Sequence, residues 1–123
     1  MCDLPAVSNF RKLLVWQKAH VLSQDAEAFA RPFARRRRKL ADQIIRASEA
    51  IPAHLAEGRG SATDVDFARY VTMALKEANE LENHFQEAVD KGLCSRAAHE
   101  ALTEATIEVR KMLIGLRKRL VGG

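Results

Sequence analysis

Apolar positions recur every three or four residues along almost the whole chain, and breaks in that rhythm divide it into four segments. This spacing lets a helix bury one face. The first segment runs from about Asn9 toward Phe29, with Ser8 or Asn9 as its N-cap. Arg31-Pro32 interrupts it, because a residue before proline is pushed away from helical geometry. The second starts near Phe33 or Ala34 and reaches Glu57, with Leu40, Ile44, Ala47, Ile51 and Leu55 as its apolar stripe and Gly58 as its stop. Pro52 lies inside it and predicts a kink and a strained last turn.

Gly58-Arg59-Gly60-Ser61 is a loop, after which Thr63 offers a capping oxygen with Asp66 three residues on. Phe67, Val71, Ala74, Ala78, Leu81, Phe85 and Ala88 then alternate steps of four and three, the rhythm of long helices packed nearly antiparallel. The small Ala74 and Ala78 leave room for a neighbouring backbone. Gly92 ends this helix, Ser95 caps the next, and Ala98, Leu102, Ala105, Val109, Met112, Leu116 and Leu120 form the fourth core row. The predicted helices span about 9–30, 34–57, 64–91 and 96–120. Short links between them specify an all-α, up-down-up-down antiparallel four-helix bundle in a single domain spanning residues 1–123.

Composition supports helices, since Ala, Leu, Glu, Arg and Lys dominate and aromatics make up only 6% of the chain. Cys2 and Cys94 are the only cysteines, and with Cys2 near the terminus a disulfide is not expected; a reduced, cytoplasmic setting is. No apolar run approaches the roughly 20 residues needed to cross a bilayer, and Met1 to Asn9 lacks a signal-peptide layout.

Two helices carry more apolar surface than a lone bundle uses. In the fourth, Ile107, Ile114 and Val121 point away from the core row; in the first, Phe10, Leu14 and Val21 share one side and Val15, Ala19, Leu22, Ala26 and Phe29 the other, with Trp16 between them. Which face of the first helix is core is open at this stage. The doubled pattern predicts self-association through Phe10, Leu14, Trp16, Val21, Ile107, Ile114 and Val121. Scattered exposed aliphatics are the plain alternative. A membrane role is the weakest reading: Arg110 and Arg117 flank the fourth helix's stripe, but Thr103 extends it and no bulky aromatic supports it.

The net charge of +4 is unevenly spread. Arg31, Arg35, Arg36, Arg37, Arg38, Lys39 and Arg46 fall close together, Arg117, Lys118 and Arg119 form a second group, and acids outnumber bases between them. The run Arg35–Lys39 sits where a helix starts, and cations there oppose the helix dipole by a few tenths to about one kcal/mol each. Phosphate contact would explain the run, because arginine forks bond two phosphate oxygens. A solvated helix start that aids solubility is the alternative. Sequence-specific readout is not expected, since helix-turn-helix spacing, zinc-finger ligands and neighbouring stacking aromatics are missing from the sequence.

The chain resembles a known family. Phe10, Leu13, Trp16 and Ala19 open the resemblance, Gln43 through Gly60 (QIIRASEAIPAHLAEGRG) carries its centre, and Phe67-Ala68-Arg69-Tyr70, Glu80-Leu81-Glu82 and Gly92-Leu93 follow. These residues are similar to the small bundle proteins first found encoded in intervening sequences of bacterial 23S ribosomal RNA genes, distant relatives of the accessory proteins of diversity-generating retroelements. The resemblance implies a left-handed antiparallel bundle, a ring of five subunits, no established enzymatic activity, basic surface offered to nucleic acid and, in the retroelement branch, a reverse transcriptase as partner. The chain departs from the family pattern at Arg35–Lys39, where an aromatic or aliphatic residue is usual, and at Lys76-Glu77-Ala78, where a Gly-Ser pair is usual.

Catalytic constellations are not expected. A bundle di-metal site needs Glu-x-x-His, and none of His20, His54, His84 or His99 has glutamate three residues earlier. His54 reads as a hydrogen-bonded core histidine, Glu57 as a helix-end acid bonded to the next loop or an arginine, and Glu82 as a partly buried acid partnered by Arg46 or Arg69. The sequence thus predicts a non-enzymatic oligomer without metal or cofactor that binds RNA or DNA with low specificity, or else a protein-interaction scaffold.

Overall fold

The computed structural model describes residues 9–122; Cys2 and the candidate cap Ser8 lie outside them. Four helices, α1 (Leu14–Ala30), α2 (Arg38–Arg59), α3 (Asp64–Asp90) and α4 (Arg96–Val121), pack as a closed antiparallel bundle in which sequence neighbours touch and α1 closes against α4. The α2–α3 seam is the most extensive and the α1–α4 seam the least.

The α1 face left open by sequence resolves as Val15, Ala19, Leu22 and Ala26, all buried. The helix starts later than its apolar rhythm predicts. Phe10–Lys12 forms a separate 3-10 turn, Asn9 provides no side-chain cap, and Leu13 is extended (φ −73°, ψ 121°) before α1 begins. Leu13 packs against the core from this break, and Gln17 Nε2 donates to the Arg11 carbonyl at 2.8 Å across it.

The predicted stripes of α2 and α3 are buried throughout. Thr63 Oγ1 accepts from the Asp66 N–H and Ser95 Oγ from the Ala98 N–H, each at 3.1 Å, so both predicted caps form. Gly92, with φ +71°, turns the chain out of α3 in a conformation side chains rarely adopt. Cys94 is a free, partly buried thiol whose pKa burial pushes up.

Two expectations need correction. In α4 the buried positions are Thr106, Val109, Leu113 and Leu116, a stripe rotated from the predicted row, with Ala105 and Met112 only flanking it. A threonine reads as polar, but the Thr106 hydroxyl donates to the Leu102 carbonyl at 2.7 Å and can therefore be buried without an unpaired group. In α2, Gly58 is not the stop. The helix runs through Pro52 to Arg59, and among the described residues no non-glycine has positive φ, so the last turn is not strained in that sense.

Gly58 instead sets the α2–α3 separation. A Cβ there would lie 2.7 Å from Phe67 Cδ1 and 2.8 Å from Tyr70 Cβ. Ala74 and Ala78 are fully buried farther along α3.

Polar groups also differ from expectation. Glu82 pairs with Arg110 of α4, not with Arg46 or Arg69; Arg69 holds Asp66 at 3.1 Å within α3. His54 is half-buried with Nδ1 3.6 Å from Glu57 and Nε2 3.9 Å from Glu77, too far for hydrogen bonds, and its Nδ1 has no partner among the described residues. Glu57 accordingly leans toward His54 within α2. Burial raises the Glu77 pKa from its ordinary 4.5, Glu80 adds to the rise, and His54 and Arg46 oppose it.

Gly58→Ala tests the seam. Helix propensity alone would stabilise the variant by about 1 kcal/mol, whereas overpacking against Phe67 and Tyr70 should destabilise it by roughly 1–3 kcal/mol in denaturant titrations. Glu77→Gln tests the half-buried acid. A raised folded-state pKa means the folded chain binds this proton more tightly than the unfolded chain, so stability falls as pH rises through the window above 4.5. The variant should therefore melt higher than the parent near neutral pH, and that gain should vanish as pH falls below this window.

Candidate nucleic-acid interface

The basic run precedes α2 more than it begins it. Phe33, 1% exposed, anchors a 3-10 turn at Arg31–Phe33, and the Arg37 N–H donates to the Phe33 carbonyl at 2.9 Å. Leu40 and Ala41 must be buried again within two turns, so α2 starts at Arg38 and not at Phe33 or Ala34. Arg35, Arg36 and Arg37 thus occupy a turn, while Arg38 and Lys39 take the first two helical positions. Arg37 is the N-cap without a side-chain cap bond, and the first turn of α2 contains no acid. The positive end of the helix is left uncompensated.

All five cations are exposed, and none forms an ion pair among the described residues. Some cations elsewhere are engaged: Arg31 holds Glu27 at 3.2 Å, Lys18 holds Glu108 at 3.4 Å and Lys91 holds Glu87 at 3.7 Å. Arg31, expected in the site, is therefore adjacent to the run but already engaged.

The run opens onto a groove between α2 and α3. Arg36, Arg37, Arg38 and Lys39 line about 530 Å³ together with Gln43, His84, Glu87 and Lys91. Beyond Gln43 and His84 a further stretch of about 500 Å³ is lined by Arg46, Asn79, Glu80 and Asn83. His84 Nδ1 is sealed from solvent and lacks a partner among the described residues. Lys91, Gln43, Arg46 and His84 do not stand out as site residues in the sequence, because only the antiparallel pairing of α2 with α3 brings them beside the run.

Arg117, Lys118 and Arg119 do not join this site. Arg117 Nη1 reaches Thr72 Oγ1 at 3.4 Å, near the start of α3, whereas the basic run lies beside Glu87 and Lys91 near its end. Fifteen helical residues separate those levels, about 22 Å. The two basic segments occupy opposite ends of the bundle.

The candidate assembly face is mixed in exposure. Leu14 (58%), Val21 (53%) and Val121 (62%) are open to solvent. Trp16 and Ile114 pack partly against the core, Ile107 is half-buried, and Phe10 meets the Trp16 ring edge-on at 5.1 Å. Trp16 also stacks on His20, with centroids 4.8 Å apart. Among the described residues, no group of three His, Cys, Asp or Glu side chains is placed to hold a metal, and no helix is long and apolar enough to cross a membrane.

Comparison with known proteins matches this architecture. Among solved structures, a protein of unknown function from the S23 ribosomal protein family of Bacteroides thetaiotaomicron superimposes with a TM-score of 0.81, covering 85% of this chain and 99% of that one at 23% identity. That similarity shows the fold. No curated protein matches the chain significantly in sequence. The family model described as 23S rRNA-intervening sequence protein matches residues 11–115, nearly the whole bundle. The chain belongs to the 23S rRNA-intervening sequence protein family.

Proposed function

We propose that this protein is a non-enzymatic, homo-oligomeric binding module of the cytoplasm that grips RNA or DNA through its phosphates, with Arg35, Arg36, Arg37, Arg38 and Lys39 as the principal contacts. The observation that carries the reading is the absence of any carboxylate partner, among the described residues, for five exposed cations at an uncompensated helix start. Such groups keep their full charge for an external anion. Lys91, on the far wall of the same groove, is already engaged by Glu87 at 3.7 Å and adds no free charge. Arg117, Lys118 and Arg119 lie too far away to serve the same contact and are assigned no part in it.

Self-association is proposed through α1 and α4, where Leu14, Val21 and Val121 expose apolar surface beside the sparsest seam of the bundle. The resemblance drawn from the sequence makes a ring of five the expected assembly. Each copy would then present one basic end, multiplying a weak contact by avidity.

Replacing Arg35–Lys39 with glutamine and titrating binding at several salt concentrations tests the contact. For every phosphate no longer neutralised, the log–log salt slope should flatten by about 0.7 to 0.9. The triple glutamine variant of Arg117, Lys118 and Arg119 should leave it unchanged. An unchanged slope in the first variant would remove the run from the interface. For the assembly, Leu14→Glu combined with Val21→Glu should convert an oligomer into a monomer by light scattering with helical content retained; a parent protein that is monomeric at all concentrations would overturn the proposal.

A further inference from the structure

We infer that the α2–α3 groove takes an unpaired strand, with phosphates at the Arg36–Lys39 end and base edges against Gln43, Asn79 and Asn83. This rests on the nucleic-acid reading above and specifies its ligand. The geometry favours one strand over two: neighbouring helix axes pack only about 8–10 Å apart, and each stretch of the groove has the size of a small-ligand pocket, about 530 and 500 Å³. A duplex could touch the basic end but could not enter.

The groove changes chemistry along its length. Its mouth is cationic, and farther in it becomes neutral and amide-rich, with Glu80 on the wall. Phosphates are therefore held preferentially at the mouth, where cations outnumber acids, while Arg46 and Glu80 offset one another farther in, which leaves the amides for the base. None of the three amide side chains has a hydrogen bond among the described residues. Asn79 and Asn83 stand one turn apart on the exposed face of α3, although asparagine is a poor helix former and their exposure gives them no packing role. Like the basic run, they occupy places that local helix stability disfavours.

An amide presents a donor and an acceptor side by side, the pattern that pairs with adenine N6 and N7. No Phe, Tyr or Trp lines either stretch and the His84 imidazole is the single ring on the wall, so the reading rests on base edges more than on stacking.

Fluorescence anisotropy at low salt with labelled oligoadenylate, oligouridylate or oligothymidylate, and a duplex of equal length, in RNA and DNA forms, tests this. The parent protein should bind the adenine strand at least about tenfold more tightly than the duplex or the pyrimidine strand. Gln43→Ala combined with Asn79→Ala and Asn83→Ala should abolish that preference with the salt slope unchanged and the melting temperature equal or higher, since alanine is the better helix former. Equal affinity for duplex and single strands, unaffected by the triple variant, would overturn the groove assignment while the phosphate contact stands. Failure to bind any of these probes would overturn both readings.

Discussion

The close approach of α2 to α3 is the constraint on which the rest depends. It is possible because Gly58 presents no side chain where Phe67 and Tyr70 press in; farther along α3 the small Ala74 and Ala78 are fully buried. This seam fixes the antiparallel register that sets Gln43 opposite His84 and the basic run beside Glu87 and Lys91. Packing there is dense, and a methyl group added at a close contact has nowhere to go. The proposed binding surface is thus a consequence of a steric fit, with α1 and α4 completing the core behind it.

Against that rigid backing, the start of α2 is a place where stability has been given up locally. A helix end normally recruits a capping oxygen or a nearby acid; Thr63 and Ser95 do so for α3 and α4. Arg37 does not, and cations follow it. The burial of Phe33 on one side and Leu40 and Ala41 on the other holds this segment in place despite the electrostatic penalty. The proposed site is accordingly preformed: its charges project from a turn anchored at both ends in the core.

Much of the fold was legible because long helices repeat their message. Leu40 to Leu55 and Phe67 to Ala88 could be read as stripes, and Thr63, Ser95 and Gly92 mark their boundaries by local chemistry alone. The rotated stripe of α4 was hidden by one residue, since Thr106 satisfies its hydroxyl within its own helix and so behaves as an apolar neighbour. Gly58 looked like a terminator because glycine has two uses, and only the position of Phe67 reveals which applies. Partners distant in sequence, such as Glu82 with Arg110 and Lys91 with the basic run, depend on register, which no single helix encodes.

The self-contained hydrogen bond of Thr106 has a wider effect. Because its polarity is answered inside α4, the core makes no directional polar demand on that helix, and Thr106 packs there as an apolar side chain would. At its periphery α4 is also tied to its neighbours by Lys18 to Glu108, Glu82 to Arg110, and Arg117 to Thr72. The interdigitation of Val109, Leu113 and Leu116 seats the helix, and an exposed tether such as Lys18 to Glu108 adds little to that fit.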